Sequence, residues 1–197
     1  FTLSELSELT ASVERAVALA HDQSASGKAY YLDGKRFVDI GKMTVQFELG
    51  DKSEIIRVIE PAHHLDAFLE ALVGDVRIVD PVKSIIGVDQ VSVWTNKLNL
   101  KRPGKGSGFG WHQDSPYWIH DSGHVDLLPN VYFAFDDACA ENGCLRVIDK
   151  SHLRGCLPGT SDGSQLGGFF TDPACFDERD QVAMEAPAGS LVFFDPH

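Results

Sequence analysis

An imidazole and a carboxylate, two groups that hold first-row metal ions, stand two positions apart in Gly110-Trp111-His112-Gln113-Asp114-Ser115-Pro116-Tyr117-Trp118. On an extended chain residues i and i+2 project to the same side, so His112 and Asp114 could grip one ion together. A second His from elsewhere would complete the two-His, one-carboxylate arrangement that leaves positions open on a non-haem Fe(II). The competing reading is a pair of polar surface groups. The chain holds eight His, and the tripeptide recurs at His64-Leu65-Asp66 and His124-Val125-Asp126, so the pattern alone is weak. Context separates the three. His64 lies in a helical pattern, where i and i+2 face different ways. His124 follows the turn-like Asp121-Ser122-Gly123. Only His112 combines a Gly-rich approach, flanking aromatics and extended character.

Downstream come Tyr132-Phe133-Ala134-Phe135-Asp136-Asp137-Ala138, Glu141-Asn142-Gly143-Cys144-Leu145-Arg146-Val147-Ile148, Lys150-Ser151-His152-Leu153-Arg154-Gly155 and Ala188-Gly189-Ser190-Leu191-Val192-Phe193-Phe194-Asp195-Pro196. In this order, behind Trp111-His112-Gln113-Asp114, they closely resemble the phytanoyl-CoA dioxygenase family of Fe(II)- and 2-oxoglutarate-dependent oxygenases. The resemblance runs from about Lys97 to the last residue; the first ninety residues match only in layout. It implies that His112 and Asp114 are catalytic metal ligands. 2-Oxoglutarate and O2 would take the open positions, ascorbate would serve as a possible reductant, and a C–H bond of a small molecule would be oxidised. Related halogenases carry a small residue in place of the carboxylate, so Asp114 favours hydroxylation. Nothing reads as a dedicated coenzyme A site.

The same resemblance assigns supporting roles. Phe109, Trp111, Tyr117 and Trp118 are expected to wall the substrate pocket, the alternative being rim packing. Tyr132 stands where the family carries a Trp lining the cosubstrate pocket, and Asn99 is a candidate contact to 2-oxoglutarate. The family's third ligand sits in a pattern like Phe-Phe-x-Pro-Leu-Leu-x-His-Gly-Ser. Aligning Phe193-Phe194-Asp195-Pro196 onto it puts that His three residues beyond His197, with the carboxylate-gripping Arg further still. His197 matches an apolar position of the motif. The expected fold is mainly β with N-terminal helices: a double-stranded β-helix (jelly roll, cupin-like) lacking its C-terminal strands as given. The alternative function is a non-catalytic jelly-roll binding protein with a degenerate metal site.

The 197 residues are read as a single domain, a helical and hairpin part over about 1–88 and a jelly-roll core over about 89–197. A formal net charge of −12 speaks against nucleic acid and anionic membrane surfaces as partners. No apolar run reaches the roughly 18–20 residues of a membrane span and no secretory signal is visible, so a cytoplasmic location is expected. Cys139, Cys144, Cys156 and Cys175 lack Cys-x-x-Cys spacing and read as buried reduced thiols.

The elements that must position the pair follow from pattern. Thr2-Leu3-Ser4-Glu5 is a capping box, and Leu6, Leu9, Val13 and Val17 carry a helix to about His21. A loop over 22–28 follows. Asp33-Gly34 joins Tyr30-Tyr31-Leu32 to Arg36-Phe37-Val38 as a type I′ hairpin, and Met43 to Leu49 alternates as a strand. Pro61 opens a helix through Leu65, Phe68, Leu69 and Leu72 that stops at Gly74, with His63 and His64 as solvated first-turn residues. A short helix is expected over Pro81–Ile86. Strands are expected over 91–100 as one long element, and over 131–135, 144–148, 182–185 and 191–194. The basic, Gly-rich run Lys101 to Gly110 lacks P-loop spacing, and reads as a loop at the mouth of the site.

Overall fold

A computed structural model describes residues 1–50 and 52–197. The chain combines helices with antiparallel sheets, and its contacts fall into two compact units. One comprises Thr2–Lys83 and Val88–Gly108; the other comprises Phe1, Ser84–Gly87 and Phe109–His197.

The N-terminal unit begins with helix α1, Leu3–Ser24, one turn longer than its apolar pattern predicts. The expected capping box is formed: Glu5 N donates to Thr2 Oγ1 at 3.3 Å, and Thr2 N donates to the Glu5 carboxylate at 2.7 Å. Buried Leu6, Leu9, Val13, Ala16 and Ala20 recur every three to four residues and form the stripe that packs against the sheet. The same Glu5 carboxylate accepts from the Arg77 guanidinium at 2.8 Å. That contact first, and the Thr2 donors next, hold its pKa down at about 2. Because this folded-state value lies below the unfolded one, the associated stabilisation is present above the ordinary carboxylate range and is lost as pH falls through about 2. An NMR titration is expected to find the Glu5 midpoint near 2, and Arg77→Ala is expected to return it toward 4.5. An unmoved midpoint in that variant would rule out the guanidinium as the cause.

Strands β1 (Lys28–Leu32), β2 (Lys35–Ile40), β3 (Met43–Phe47), β4 (Ile56–Glu60) and β5 (Leu98–Asn99) form one antiparallel sheet in chain order. The hairpin pairs Leu32 with Lys35. Asp33 and Gly34 both have positive φ, 49° and 74°, as a type I′ turn demands. On β3 Met43, Val45 and Phe47 point inward and are buried, the expected alternation. β4 is the strand that alternation misses: Ile56, Arg57, Val58 and Ile59 are all buried, so no period of two is visible.

Among the described residues Arg57 is the largest fully buried side chain. Its Nη1 lies 3.4 Å from Glu48 Oε2, and it donates to Ser107 O at 3.1 Å and from Nη2 to Gly108 O at 2.7 Å. Glu48, itself buried, accepts from Ser107 N at 3.0 Å and Ser107 Oγ at 2.6 Å. Arg102 forms a two-pronged pair with Glu14 at 2.9 and 3.2 Å. The Gly-rich run is therefore tied down at both Arg102 and Ser107–Gly108.

Several predicted bounds shift. Pro61 follows a cis peptide bond, His63–Leu65 make one 3-10 turn, and helix α2 covers only Ala67–Val73. Asp66 takes the capping position, accepting from Phe68 N at 2.9 Å, a competing helix start that the Pro61 signal obscured. His63 Nδ1 meets Asn96 Nδ2 at 2.5 Å. Helix α3 spans Val76–Ile86 with Pro81 inside it, five residues earlier than the proline suggests. The long strand expected over 91–100 shrinks to β5, whose Leu98 and Asn99 pair with β4.

In the C-terminal unit, β6 (Asn130–Phe133) pairs antiparallel with β9 (Leu191–Phe194), and β7 (Arg146–Ile148) with β8 (Gln181–Ala183). Each strand sits within its predicted segment or overlaps it by all but one residue. Helix α4, Ser115–Trp118, is a single turn. All four cysteines are free, as expected, but only Cys144 is buried and Cys156 is exposed. No described helix is long and apolar enough to cross a membrane.

Candidate active site

The approach to His112 is extended and closely packed. His112 forms an isolated antiparallel bridge with Phe170, and Thr171 N donates to Trp111 O at 2.9 Å. A Cβ on Gly110 would stand 3.0 Å from the Phe170 ring, so glycine lets the two segments approach. Past Gln113 the chain turns: Asp114 is already helical, φ −79° and ψ −26°, and precedes α4, with Pro116 in its first turn. The expected same-side projection of residues 112 and 114 is thus made by a bridge running into a helix start rather than by a regular strand.

Asp at a helix start ordinarily accepts a hydrogen bond from the first free amides. The Asp114 side chain makes no such bond. Its Oδ1 lies instead 3.7 Å from His112 Nε2, with the two side chains 14% and 29% exposed. His112 Nδ1 lies 2.7 Å from Gly110 O. A carbonyl only accepts, so Nδ1 carries a proton and Nε2 is the ring nitrogen turned toward the carboxylate. That is the tautomer-fixing outer contact typical of metal-bound imidazoles. Gln113 projects to the other side and is buried, donating to Gly155 O at 3.0 Å and accepting from Leu157 N at 2.6 Å.

These two donors fit one divalent ion. Imidazole and carboxylate donors about 2.1 Å from an ion at a right angle stand about 3 Å apart, so a closure of about 0.7 Å from the observed 3.7 Å brings the pair into range. Among the described residues no group of three or more His, Cys, Asp and Glu is arranged to hold a metal.

Tyr117 stacks on Phe169 with centroids 4.3 Å apart and meets the His112 ring edge-on at 6.3 Å. Trp111 meets Phe176 at 5.7 Å, and Trp118 is half-buried in α4. Phe109 and Tyr117 are 42% exposed. Among the predicted wall residues, Tyr117 is in ring contact with His112. Tyr132 lies on β6 opposite Val192, and burial, then Cys144 and Asp136, push its phenol pKa up. Asn99 is exposed on β5 of the N-terminal unit. A cleft of about 630 Å³ in that unit, between α1 and the basic loop, contains none of the predicted site residues.

Several neighbours escaped the sequence pattern. Gln113, Phe169 and Phe170 contact or anchor the pair, and Ser115, Asp126 and His197 form a hydrogen-bonded group next to Asp114. A buried amide between two candidate ligands was the one local hint. The Phe169–Phe170 contact spans more than fifty residues and has no local signature.

The family model for phytanoyl-CoA dioxygenase matches residues 4–197. L-proline trans-4-hydroxylase of Streptomyces griseoviridis is 30% identical over 165 residues, 75% of this chain and 61% of that protein. Phytanoyl-CoA dioxygenase of Arabidopsis thaliana is 26% identical over 170 residues, covering 86% and 57% of the two chains. Ectoine dioxygenase of Streptomyces avermitilis is 34% identical over 162 residues, covering 73% and 53%. The chain thus spans between about half and three fifths of the length of these relatives. With a match over nearly its whole length, this chain belongs to the phytanoyl-CoA dioxygenase family.

Proposed function

We propose that the protein is an Fe(II)- and 2-oxoglutarate-dependent dioxygenase that hydroxylates a C–H bond of a small-molecule substrate. The observation that carries this reading is the facing of His112 Nε2 and Asp114 Oδ1 at 3.7 Å, with the imidazole oriented by Gly110 O and the carboxylate free of capping duty. Family membership supports the cofactors, and relatives named for proline and ectoine support a small substrate. In this reading His112 and Asp114 supply two ligands, and the family pattern assigns the third to a His beyond residue 197. The ladders β6–β9 and β7–β8 belong to a double-stranded β-helix, and the whole chain serves one dioxygenase domain.

The bound iron would activate O2 at the expense of 2-oxoglutarate decarboxylation. The protein's own residues hold and shield that centre. The Gly110 carbonyl orients the imidazole, and the α4 start presents the carboxylate. The Tyr117–Phe169 stack would form an aromatic wall on one side of the pair, against which an apolar part of the substrate could lie. Tyr132 would line the cosubstrate side, at the position where the family carries a Trp, with its phenol as a hydrogen-bond donor.

Anaerobic addition of Fe(II) and then 2-oxoglutarate to the full-length protein is expected to give the weak visible charge-transfer band of a chelated keto acid. His112→Ala and Asp114→Ala are expected to remove it. A folded wild-type protein without that band would refute 2-oxoglutarate chemistry here and leave a binding module.

A further inference from the structure

A second polar group runs from the end of β9 into α4. The His197 side chain is only 7% exposed, with Nδ1 2.8 Å from Ser115 Oγ and Nε2 2.7 Å from Asp126 Oδ1. An ionised carboxylate only accepts, so Nε2 carries a proton donated to Asp126, and Nδ1 pairs with the Ser115 hydroxyl, which can both donate and accept. Both ring nitrogens are committed. The backbone on either side is committed too. Pro196 O accepts from Asp114 N at 2.9 Å and Ser115 N at 3.1 Å. The His197 carbonyl accepts from Ser151 Oγ at 3.3 Å, and its amide donates to Asp195 Oδ1 at 2.9 Å.

The same three residue types make hydrolytic triads, but a nucleophile must reach a substrate carbonyl. Ser115 is fully buried, which rules that role out. What the group does is fix Asp114. Its amide is held by Pro196, and the next side chain is held by His197, both from one segment. The Asp114 carboxylate is left with only its own side-chain torsions to settle on an ion.

We propose that Ser115, His197 and Asp126 form a positioning bracket for the Asp114 carboxylate, so that metal affinity depends on His197 although His197 is not a ligand. The inference rests on the reading of His112 and Asp114 as metal ligands. Outer residues that orient ligands typically change metal affinity by about 10- to 100-fold when removed. Ser115–His197 is the stronger half of the bracket, because the Asp126 side chain is 81% exposed and its bond competes with water.

Anaerobic Fe(II) binding, measured calorimetrically on the full-length protein beside thermal melts of the metal-free form, tests this. His197→Leu is expected to weaken Fe(II) about 10- to 100-fold. Ser115→Ala, which strands a buried ring nitrogen, is expected to weaken it about fivefold. Asp126→Asn keeps an acceptor at the same atom and is expected to stay within about threefold of wild type. A merely structural role would lower the melting temperatures and leave the affinity of the folded variants unchanged. Wild-type binding with unchanged affinity in His197→Leu and Ser115→Ala overturns the bracket. Should His197→Leu fail to fold, unchanged affinity in Ser115→Ala alone overturns it. No binding by wild type removes the metal-site reading and the bracket with it.

Discussion

Replacing His112 by alanine is expected to lower turnover by at least about a thousandfold, equivalent to roughly 4 kcal/mol of transition-state stabilisation. The imidazole is one of two donors brought together here, and its Nε2 faces the Asp114 carboxylate at 3.7 Å. Alanine removes the donor and leaves Gly110 O without its partner. Asp114→Ala is expected to act as strongly, because that side chain performs no capping duty whose loss would explain the effect through stability. Iron content after anaerobic reconstitution, read beside succinate formation, checks both variants. His64→Ala and His124→Ala carry the same tripeptide pattern elsewhere and are expected to keep activity within about threefold, as exposed polar substitutions usually do. Full iron content and activity in His112→Ala would sink the assignment.

The second large effect is on stability. Arg57→Met is expected to destabilise the protein by about 3–5 kcal/mol, the cost of leaving one partner of a buried ion pair uncompensated. Arg57 and Glu48 are both buried, and together they bind the backbone of Ser107 and Gly108. Without the guanidinium, the buried Glu48 carboxylate, just past the end of β3, keeps its Ser107 bonds but loses its buried counter-charge. At roughly 2–4 °C per kcal/mol for a chain of this size, melting should fall by about 6–20 °C. Arg57→Met combined with Glu48→Gln is expected to recover part of that loss, since the amide carries no charge yet still accepts from Ser107 N. Urea denaturation of the single and double variants decides it. A single variant within about 0.5 kcal/mol of wild type, the ordinary range for surface changes, would mean that the pair is not a stabilising clamp. Tryptic cleavage after Lys101 or Lys105 should also accelerate in the single variant, because the loop loses its downstream anchor.

Much of the fold was legible where one local rule acts alone. The Thr2–Glu5 capping box, the Asp33-Gly34 turn and the alternating β3 each depend on residues within a few positions of one another. The four C-terminal strands were found for the same reason. Where two local rules compete, the pattern misplaced the element. Pro61 and Asp66 both start helices, and the one whose carboxylate reaches Phe68 N prevailed. Pro81 opens helices more often than it interrupts them, yet here α3 runs through it. β4 was invisible because a strand buried on both faces has no alternation to read.

For the candidate site, the sequence by itself determined the residue types, their spacing and, through separate motifs in a fixed order, the family resemblance that the match over 4–197 bears out. It could choose His112 over His64 and His124 only by context. Tertiary structure alone decided that Asp114 turns its carboxylate away from its own helix, and that Gly110 O fixes the imidazole. It also decided that Phe170 packs against the glycine and that Pro196 and His197 return to hold residues 114 and 115. Each of these contacts except the Gly110 bond joins segments more than fifty residues apart, or reverses a local preference. Short-range pattern carries no information about which distant carbonyl or ring will arrive, because that depends on how the sheets bring the chain back.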